Sequence, residues 1–326
     1  MNALVALVPA AVAIGAIALL RASRVAERFV DRPGERSLHA VPTPRIGGIG
    51  LMLGALPVVY LNGTAQIRWI AAAAAVLAVV SAIDDAKSLP VPVRLACHLA
   101  AAAVAVGVAW PGAQGAVAAL VVAAAAIAGI AWMTNLFNFM DGADGLAGGM
   151  ALVGFAALAW GAVAGGDTSL AFASIAVSAG AGGFLVFNVP PARVFMGDAG
   201  SVPLGFLAGA LGWLGAEGGT WPAWFPVLVF SPFIVDATVT LAKRAARGEA
   251  LARAHRGHHY QRLVLAGWSH RRLALAGWAL MVASAASAVA ALGRHAAVQG
   301  AIISLWVIAY GALLWWIGRR SSRGRS

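Results

Sequence analysis

Residues 66–83 read QIRWIAAAAAVLAVVSAI and run straight into Asp84-Asp85-Ala86-Lys87. About 20 apolar residues in a row let one helix cross the hydrocarbon core of a bilayer. Here such a run stops on two adjacent carboxylates. Similar runs recur at 2–20, 47–63, 93–110, 115–133, 146–164, 168–187, 202–216, 222–242, 273–292 and 299–318. Together they predict an all-α, polytopic membrane helix bundle of about 11 transmembrane helices. No soluble segment separates them, so residues 1–326 are read as a single integral membrane domain. The first run has no positive residue before it and no small-x-small cleavage site, so it reads as a retained helix rather than a removed signal peptide.

Composition excludes an ordinary soluble domain. Hydrophobic residues make up 61% of the chain and charged residues 11%, against roughly half and a quarter in globular chains. Cys97 is the lone cysteine, so no internal disulfide forms, and its apolar surroundings suit a small buried hydrophobe. Of the 23 Lys and Arg residues, only Arg68 and Arg294 fall on the side opposite the basic loops. The positive-inside rule then places the N-terminus outside and the C-terminus in the cytoplasm. The net charge of +11 is mainly this orientation signal. It also suits anionic lipid head groups and anionic substrates. Basic residues spread over many short membrane loops are a poor surface for nucleic acid, and none is expected as a partner.

The acidic residues distribute differently. Asp167 and Glu217 lie in short external loops. Glu27, Asp31, Glu35 and Glu249 sit among arginines, where solvated pairing explains them. Asp84, Asp85, Asp141, Asp144, Asp198 and Asp236 all fall near cytoplasmic helix ends. Carboxylates gathered on one membrane face call for a partner, and a divalent cation is the obvious one.

Five stretches carry chemistry. On a helix Asp84 and Asp85 point about 100° apart, so one touches a metal or acts as a base while the other organises the loop. In Asn135-Leu-Phe-Asn138-Phe-Met-Asp141-Gly-Ala-Asp144-Gly145 a polar residue recurs every third position. That ladder drifts around a straight helix, so the glycines are expected to bend it into a loop that aims its oxygens at one point. In Arg193-Val-Phe-Met-Gly197-Asp198-Ala-Gly200-Ser201 the arginine suits a phosphate clamp. The glycines there suit a helix N-terminus whose free amides face phosphate. The loop His255-Arg256-Gly-His258-His259-Tyr260-Gln-Arg262 suits a diphosphate better than a cation, which its arginines would repel. Arg36-Ser-Leu-His39-Ala-Val-Pro-Thr-Pro-Arg45-Ile-Gly47-Gly48 taken alone reads as an interfacial linker stiffened by two prolines.

In order, these pieces resemble the polyprenyl-phosphate N-acetylhexosamine-1-phosphate transferase family, glycosyltransferase family 4. The match runs through Arg-Ser-x-His-x-x-Pro-Thr-Pro-Arg-x-Gly-Gly, Asp84-Asp85, Asn138-Phe-Met-Asp141-Gly-Ala-Asp144-Gly-Leu, Pro-Ala-Arg193-Val-Phe-Met-Gly-Asp198-x-Gly-Ser, Pro232-Phe-Ile-Val-Asp236 and the histidine loop, over nearly the whole chain. Each motif is modestly specific and the ordered set highly so. The resemblance implies a Mg2+-dependent phosphotransferase of the EC 2.7.8 type, with Mn2+ as an alternative ion. It moves N-acetylhexosamine 1-phosphate from a UDP-sugar to undecaprenyl phosphate and releases UMP, at the cytoplasmic face of the bacterial inner membrane. Asp198 and Asn138 look like the Mg2+ ligands. Asp84 looks like the base or acceptor-phosphate organiser, with Asp85 beside it. Asp141 and Asp144 look like catalytic nucleotide or metal-shell residues. Arg94, Arg193, His255, Arg256 and His258 look like substrate binders, with Asp236 in support. A homodimer is left open as the quaternary state. The form His255-Arg-x-His258-x-Tyr-Gln resembles enzymes that start O-antigen, and so suggests an O-antigen-like lipopolysaccharide pathway and deoxy-sugars over a muramoyl-pentapeptide.

Rival readings fare worse. A transporter needs ionisable residues near the bilayer midplane and repeated halves, whereas the acids here sit at one edge and no repeat is visible. The Asp-Gly-x-x-Ala-Arg run of CDP-alcohol phosphotransferases is absent. A non-catalytic scaffold leaves the acid clusters unexplained.

Overall fold

The computed structural model describes residues 4–34, 39, 41–110, 115–250 and 255–323. Arg36, Ser37, Leu38 and Ala40 of the proline-rich motif lie outside the described residues. The long helices are α1 (Leu4–Ala22), α3 (Gly47–Asn62), α4 (Ala65–Lys87), α5 (Val91–Val108), α6 (Ala116–Phe139), α7 (Leu146–Ala164), α8 (Thr168–Asn188), α9 (Asp198–Glu217), α11 (Ser231–Ala246), α13 (His270–Ala291) and α14 (Ala296–Arg323). Between them lie three short helices, α2 (Val25–Arg28), α10 (Trp224–Val229) and α12 (His259–Leu265). The chain is thus a polytopic helical membrane bundle. Among the described residues, eight helices are long and apolar enough to cross a bilayer, with shorter apolar helices over Ala6–Ala22 and Gly47–Asn62.

The span expected over 222–242 is two helices rather than one. α10 ends at Val229 with Phe230 as its cap, and α11 starts afresh at Ser231 with a proline in its first turn. Pro232 has no N–H to give to the preceding turn, and its fixed φ suits a helix start. The Ser231 hydroxyl donates to Leu228 O across the break.

Helices α7, α8 and α9 form the centre. α7 packs along α8, α1 and α3 cover α8, and α4 and α6 flank α9. Small residues permit this closeness. At Gly48 an added Cβ would collide with the Gly200 backbone and the Met196 carbonyl, which cannot swing aside as a side chain could. Gly47 N donates to Phe195 O and Gly48 N to Met196 O, at 2.9 and 2.8 Å. Just upstream, a two-residue strand β1 (Val30–Asp31) pairs antiparallel with β2 (Thr43–Pro44), and Phe195 N donates to Pro44 O. The stretch around Pro44-Arg45-Ile46-Gly47-Gly48 therefore seats the entry to α9. The motif acts as a support for that helix start.

Replacing Gly48 with Ala is expected to overpack this crossing, at a cost of about 1–3 kcal/mol. Thermal unfolding in detergent should show a drop of several degrees for G48A, and a wild-type melting temperature would overturn this account of the crossing.

Candidate active site

One end of the bundle collects the polar groups. A cavity of about 540 Å3 opens there, walled by α4, α5, α6, α9, α11 and the histidine loop. Asp84, Arg94, Asn138, Asp198, His255 and His258 line it, with Ser81, His98, Asn135 and Gln261 beside them. Residues singled out from sequence thus come together from separate segments. His98 and Ser81 were not singled out. Their signal was weak, being single polar residues in apolar runs, although His98 falls one turn from Arg94 on the same helix face.

Asp84 and Asp85 diverge as helix geometry requires. Asp84 faces the cavity, where Arg94 Nη1 lies 3.1 Å from its Oδ2. Its Oδ1 accepts the Leu89 amide, which closes the turn after α4. Asp85 points the other way. Its side chain is only 1% exposed, and Arg45 Nη1 sits 3.4 Å from its Oδ1. Its Oδ2 accepts the Ala199 amide at 3.2 Å, so Asp85 caps the first turn of α9 from outside that helix.

The expected phosphate cradle at this helix start is accordingly corrected. The Gly197 amide goes to Asp141 and the Ala199 amide to Asp85, while Gly200 and Ser201 donate back to Gly197 O. The chain's own carboxylates already use these donors. Gly197, at φ +74°, gives the turn its left-handed step.

The ladder from Asn135 bends as its glycines suggest. α6 runs to Phe139, a loop follows, and α7 begins after Gly145 at φ +73°. Asn138 reaches the Asp198 carboxylate. Asp141 is half-buried, and burial together with the charges of Asp198 and Asp85 pushes its pKa well above the usual carboxylate value. Asp144 does not line the cavity. It accepts the Ala192 amide at 3.0 Å and pairs with His270 Nδ1 at 3.1 Å. Burial alone would raise its pKa, but these partners hold it below the ordinary value.

Arg193 also stands apart. It is exposed, its guanidinium donates to Val186 O and lies over the Phe187 ring, and it is not part of the cavity wall. Arg256 is not part of that wall either.

Asp236, grouped with the substrate binders from sequence, lies beneath the histidine loop. Its Oδ1 accepts the His259 amide at 2.8 Å and its Oδ2 the Tyr260 amide at 3.0 Å, and His259 Nδ1 is 3.0 Å away. It therefore caps α12 and fixes the loop that carries His255 and His258. Those two rings stack at 4.9 Å, and Phe139 stacks on His258 at 5.9 Å. Tyr260 donates to Phe139 O at 3.0 Å. Burial, Asp236 and Asp141 raise its phenol pKa, so it stays protonated and is no base. Burial, with His258 and Arg244 nearby, pushes the His255 pKa down to about 4.

Beside this cavity runs an apolar groove of about 310 Å3 between α6, α9 and the α10–α11 break. Trp132 lines both, and its indole N–H donates to Thr238 at 3.0 Å. On α6 the lining passes from Ala126, Gly129 and Met133 in the groove to Asn135 and Asn138 in the cavity. A ligand with an apolar tail and an anionic head matches that order.

Comparison with known proteins agrees with the geometry. The family described as "Glycosyl transferase family 4" matches residues 67–215. A decaprenyl-phosphate N-acetylglucosaminephosphotransferase of Mycobacterium tuberculosis is 31% identical over 283 residues, covering 74% of this chain and 70% of the relative. A probable undecaprenyl-phosphate N-acetylglucosaminyl 1-phosphate transferase of Bacillus subtilis is 28% identical over 254 residues, covering 74% and 71%. A phospho-N-acetylmuramoyl-pentapeptide-transferase of Lactobacillus gasseri is 39% identical over 72 residues, covering 22% and 23%.

The His255 environment gives a pH dependence with a definite sign. Its folded pKa lies below the unfolded 6.5. Stability tied to the neutral ring is thus complete above about pH 6.5 and is lost as pH falls through about 4. Ring NMR should place the midpoint near 4. His255→Ala should flatten the fall in melting temperature over that window, and a midpoint near 6.5 would contradict the packing described.

Proposed function

The chain belongs to glycosyl transferase family 4, and we propose that it transfers N-acetylhexosamine 1-phosphate from a UDP-sugar to undecaprenyl phosphate, releasing UMP. The observation that carries this reading is the junction at Trp132, where a polar cavity bearing Asp84, Arg94, Asn138 and Asp198 adjoins an apolar groove. The acceptor's isoprenoid tail lies in the groove, and its phosphate reaches the cavity. The donor's nucleotide and diphosphate enter from the polar side, past His255 and His258.

The donor set fits a hard divalent cation. Among the described residues, no three His, Cys, Asp or Glu side chains gather to hold a metal by themselves. Mg2+ commonly takes one or two carboxylates and leaves its other positions to phosphate and water. Asp198 and Asn138 would hold it, with Mn2+ as an alternative. When bound, the ion offsets the charge of the diphosphate and polarises it.

The chain's own groups do the rest. Arg94 holds an acceptor-phosphate oxygen, and Asp84 fixes Arg94. Asp141 and Asp144 keep the α6–α7 loop in place, and Asp85 and Asp236 do the same for the α9 start and the histidine loop. His255 and His258 face the diphosphate. An acceptor-phosphate oxygen attacks the β-phosphorus in line. The bond from that phosphorus to the bridging oxygen breaks, and UMP departs with the electron pair. Direct displacement, with no covalent sugar-phosphate adduct on the chain, is the route proposed.

The positive-inside bias of the basic loops supports a site that faces the cytoplasm from a bacterial inner membrane. The relatives' names favour N-acetylglucosamine as the sugar, while the form of the histidine loop is the argument for a deoxy-sugar and an O-antigen-like pathway.

Purified protein given undecaprenyl phosphate, Mg2+ and a panel of UDP-N-acetylhexosamines should release UMP. EDTA should abolish turnover and added Mg2+ restore it. Asp198→Asn and Asp84→Asn should each cut the rate by on the order of a hundredfold. Near-normal rates in both variants would remove the site assignment. A sugar-phosphate adduct trapped on Asp84 would replace direct displacement with a two-step route.

A further inference from the structure

We propose that His98 is a substrate-contacting residue that receives the phosphate of the lipid acceptor where the apolar groove meets the cavity. The inference rests on the transferase reading above and names the residue that recognises its acceptor.

His98 follows Arg94 by four residues on α5, so both side chains lie on one face, about 6 Å apart along the helix axis. Both line the cavity. α5 enters the bundle at the site end, which puts His98 one turn deeper than Arg94. Its neighbour across the cavity is Asn135 of α6. On α6, Asn135 is three residues beyond Trp132, the residue shared with the groove, and three short of Asn138, which reaches Asp198. A tail in the groove therefore brings its head group to the level of Asn135 and His98 first, and only then to Asn138 and Asp198.

The hydrogen bonds settle which ring edge faces that head group. Asn135 Nδ2 donates to Ala131 O at 2.7 Å, which leaves its Oδ1 as an acceptor. His98 Nδ1 is buried with no partner, so Nε2 is the ring nitrogen that meets Asn135. A buried lone pair without a partner costs less than a buried N–H without one. The proton thus sits on Nε2, on the side where Asn135 lies across the cavity. The same N–H can be given to a phosphate oxygen, with the Arg94 guanidinium one turn away taking a second. Leu77, Val80, Leu95 and Val202 line the same cavity as these two donors. In apolar surroundings an N–H to a phosphate oxygen is a strong contact. His98 is 6% exposed, inside a helix, in a part of the bundle where an apolar side chain would pack. The anionic head of the acceptor accounts for a polar residue there.

The test is a comparison of H98L and H98Q with the wild type, by steady-state kinetics and by direct binding of farnesyl phosphate against farnesol. In H98L the KM for polyprenyl phosphate should rise about tenfold or more, with the KM for the UDP-sugar within about twofold. Such a loss matches removal of one charge-assisted hydrogen bond. H98Q, which keeps an N–H donor, should recover much of the affinity. The wild type should bind farnesyl phosphate over farnesol, and H98L should lose most of that preference. The melting temperature of H98L should stay within a few degrees of wild type, because the change also removes the unpartnered Nδ1. Equal loss of both KM values, a large drop in melting temperature, or an unchanged preference for the phosphate would each overturn the assignment. If the wild type turns over no lipid phosphate at all, the transferase reading fails instead.

Discussion

A carboxylate at position 198 is useful only if the first turn of α9 cannot move, and the contact that holds it is backbone against backbone. Gly48 meets Gly200 with no room for a Cβ. The amides of Gly47 and Gly48 bind the carbonyls of Phe195 and Met196 just before the helix starts. Asp85 takes the Ala199 amide from the other side, and Arg45 sits by Asp85. Three segments distant in sequence, around residues 45, 85 and 197, are thereby fixed to one another. Asp198, Asn138 and Asp84 inherit their positions from that knot.

The same economy governs the other acidic residues. A carboxylate near lipid is costly unless its oxygens are occupied. Asp144 and Asp236 answer this by binding backbone amides of other segments, Ala192 for the first and His259 and Tyr260 for the second. Each converts its burial into a fixed loop. Asp84 is half committed, to Arg94 and Leu89, and still faces the cavity. The acids therefore divide by partner. Those that bind amides position the loops, and Asp84 and Asp198 are the ones that line the cavity.

Much of this was legible in sequence because membrane folding separates its signals. Apolar runs of sufficient length mark the helices, and polar residues at their ends mark the site. The bend after Asn138 and the divergence of Asp84 and Asp85 followed from helix geometry alone. The division of labour among the acids did not. Nothing local distinguishes Asp198 from Asp236, because the amides that occupy Asp236 come from α12, more than twenty residues away. Arg193 read as a phosphate clamp from its company, yet its guanidinium lies on Phe187. The break at Phe230 left one trace, Pro232, but a continuous apolar run concealed it. His98 was hidden for the converse reason. A single histidine in an apolar helix looks like packing until its neighbour Asn135 comes into view.

The placement of the cavity also decides between an enzyme and a transporter. Alternating access needs a central site reachable from both faces through two related halves. Here the acids and the histidine loop meet at one end, while at the other end Gln66 donates to Val108 O and Arg68 to Tyr60 O, joining α3, α4 and α5. The apolar groove runs between α6, α9 and α10, helices of the bundle whose lining there is almost wholly apolar. A site with one polar mouth and one apolar branch can bring together a water-soluble anion and a lipid-borne one. Neither reactant then has to cross the membrane, and the α10–α11 break lies where the groove between them is formed.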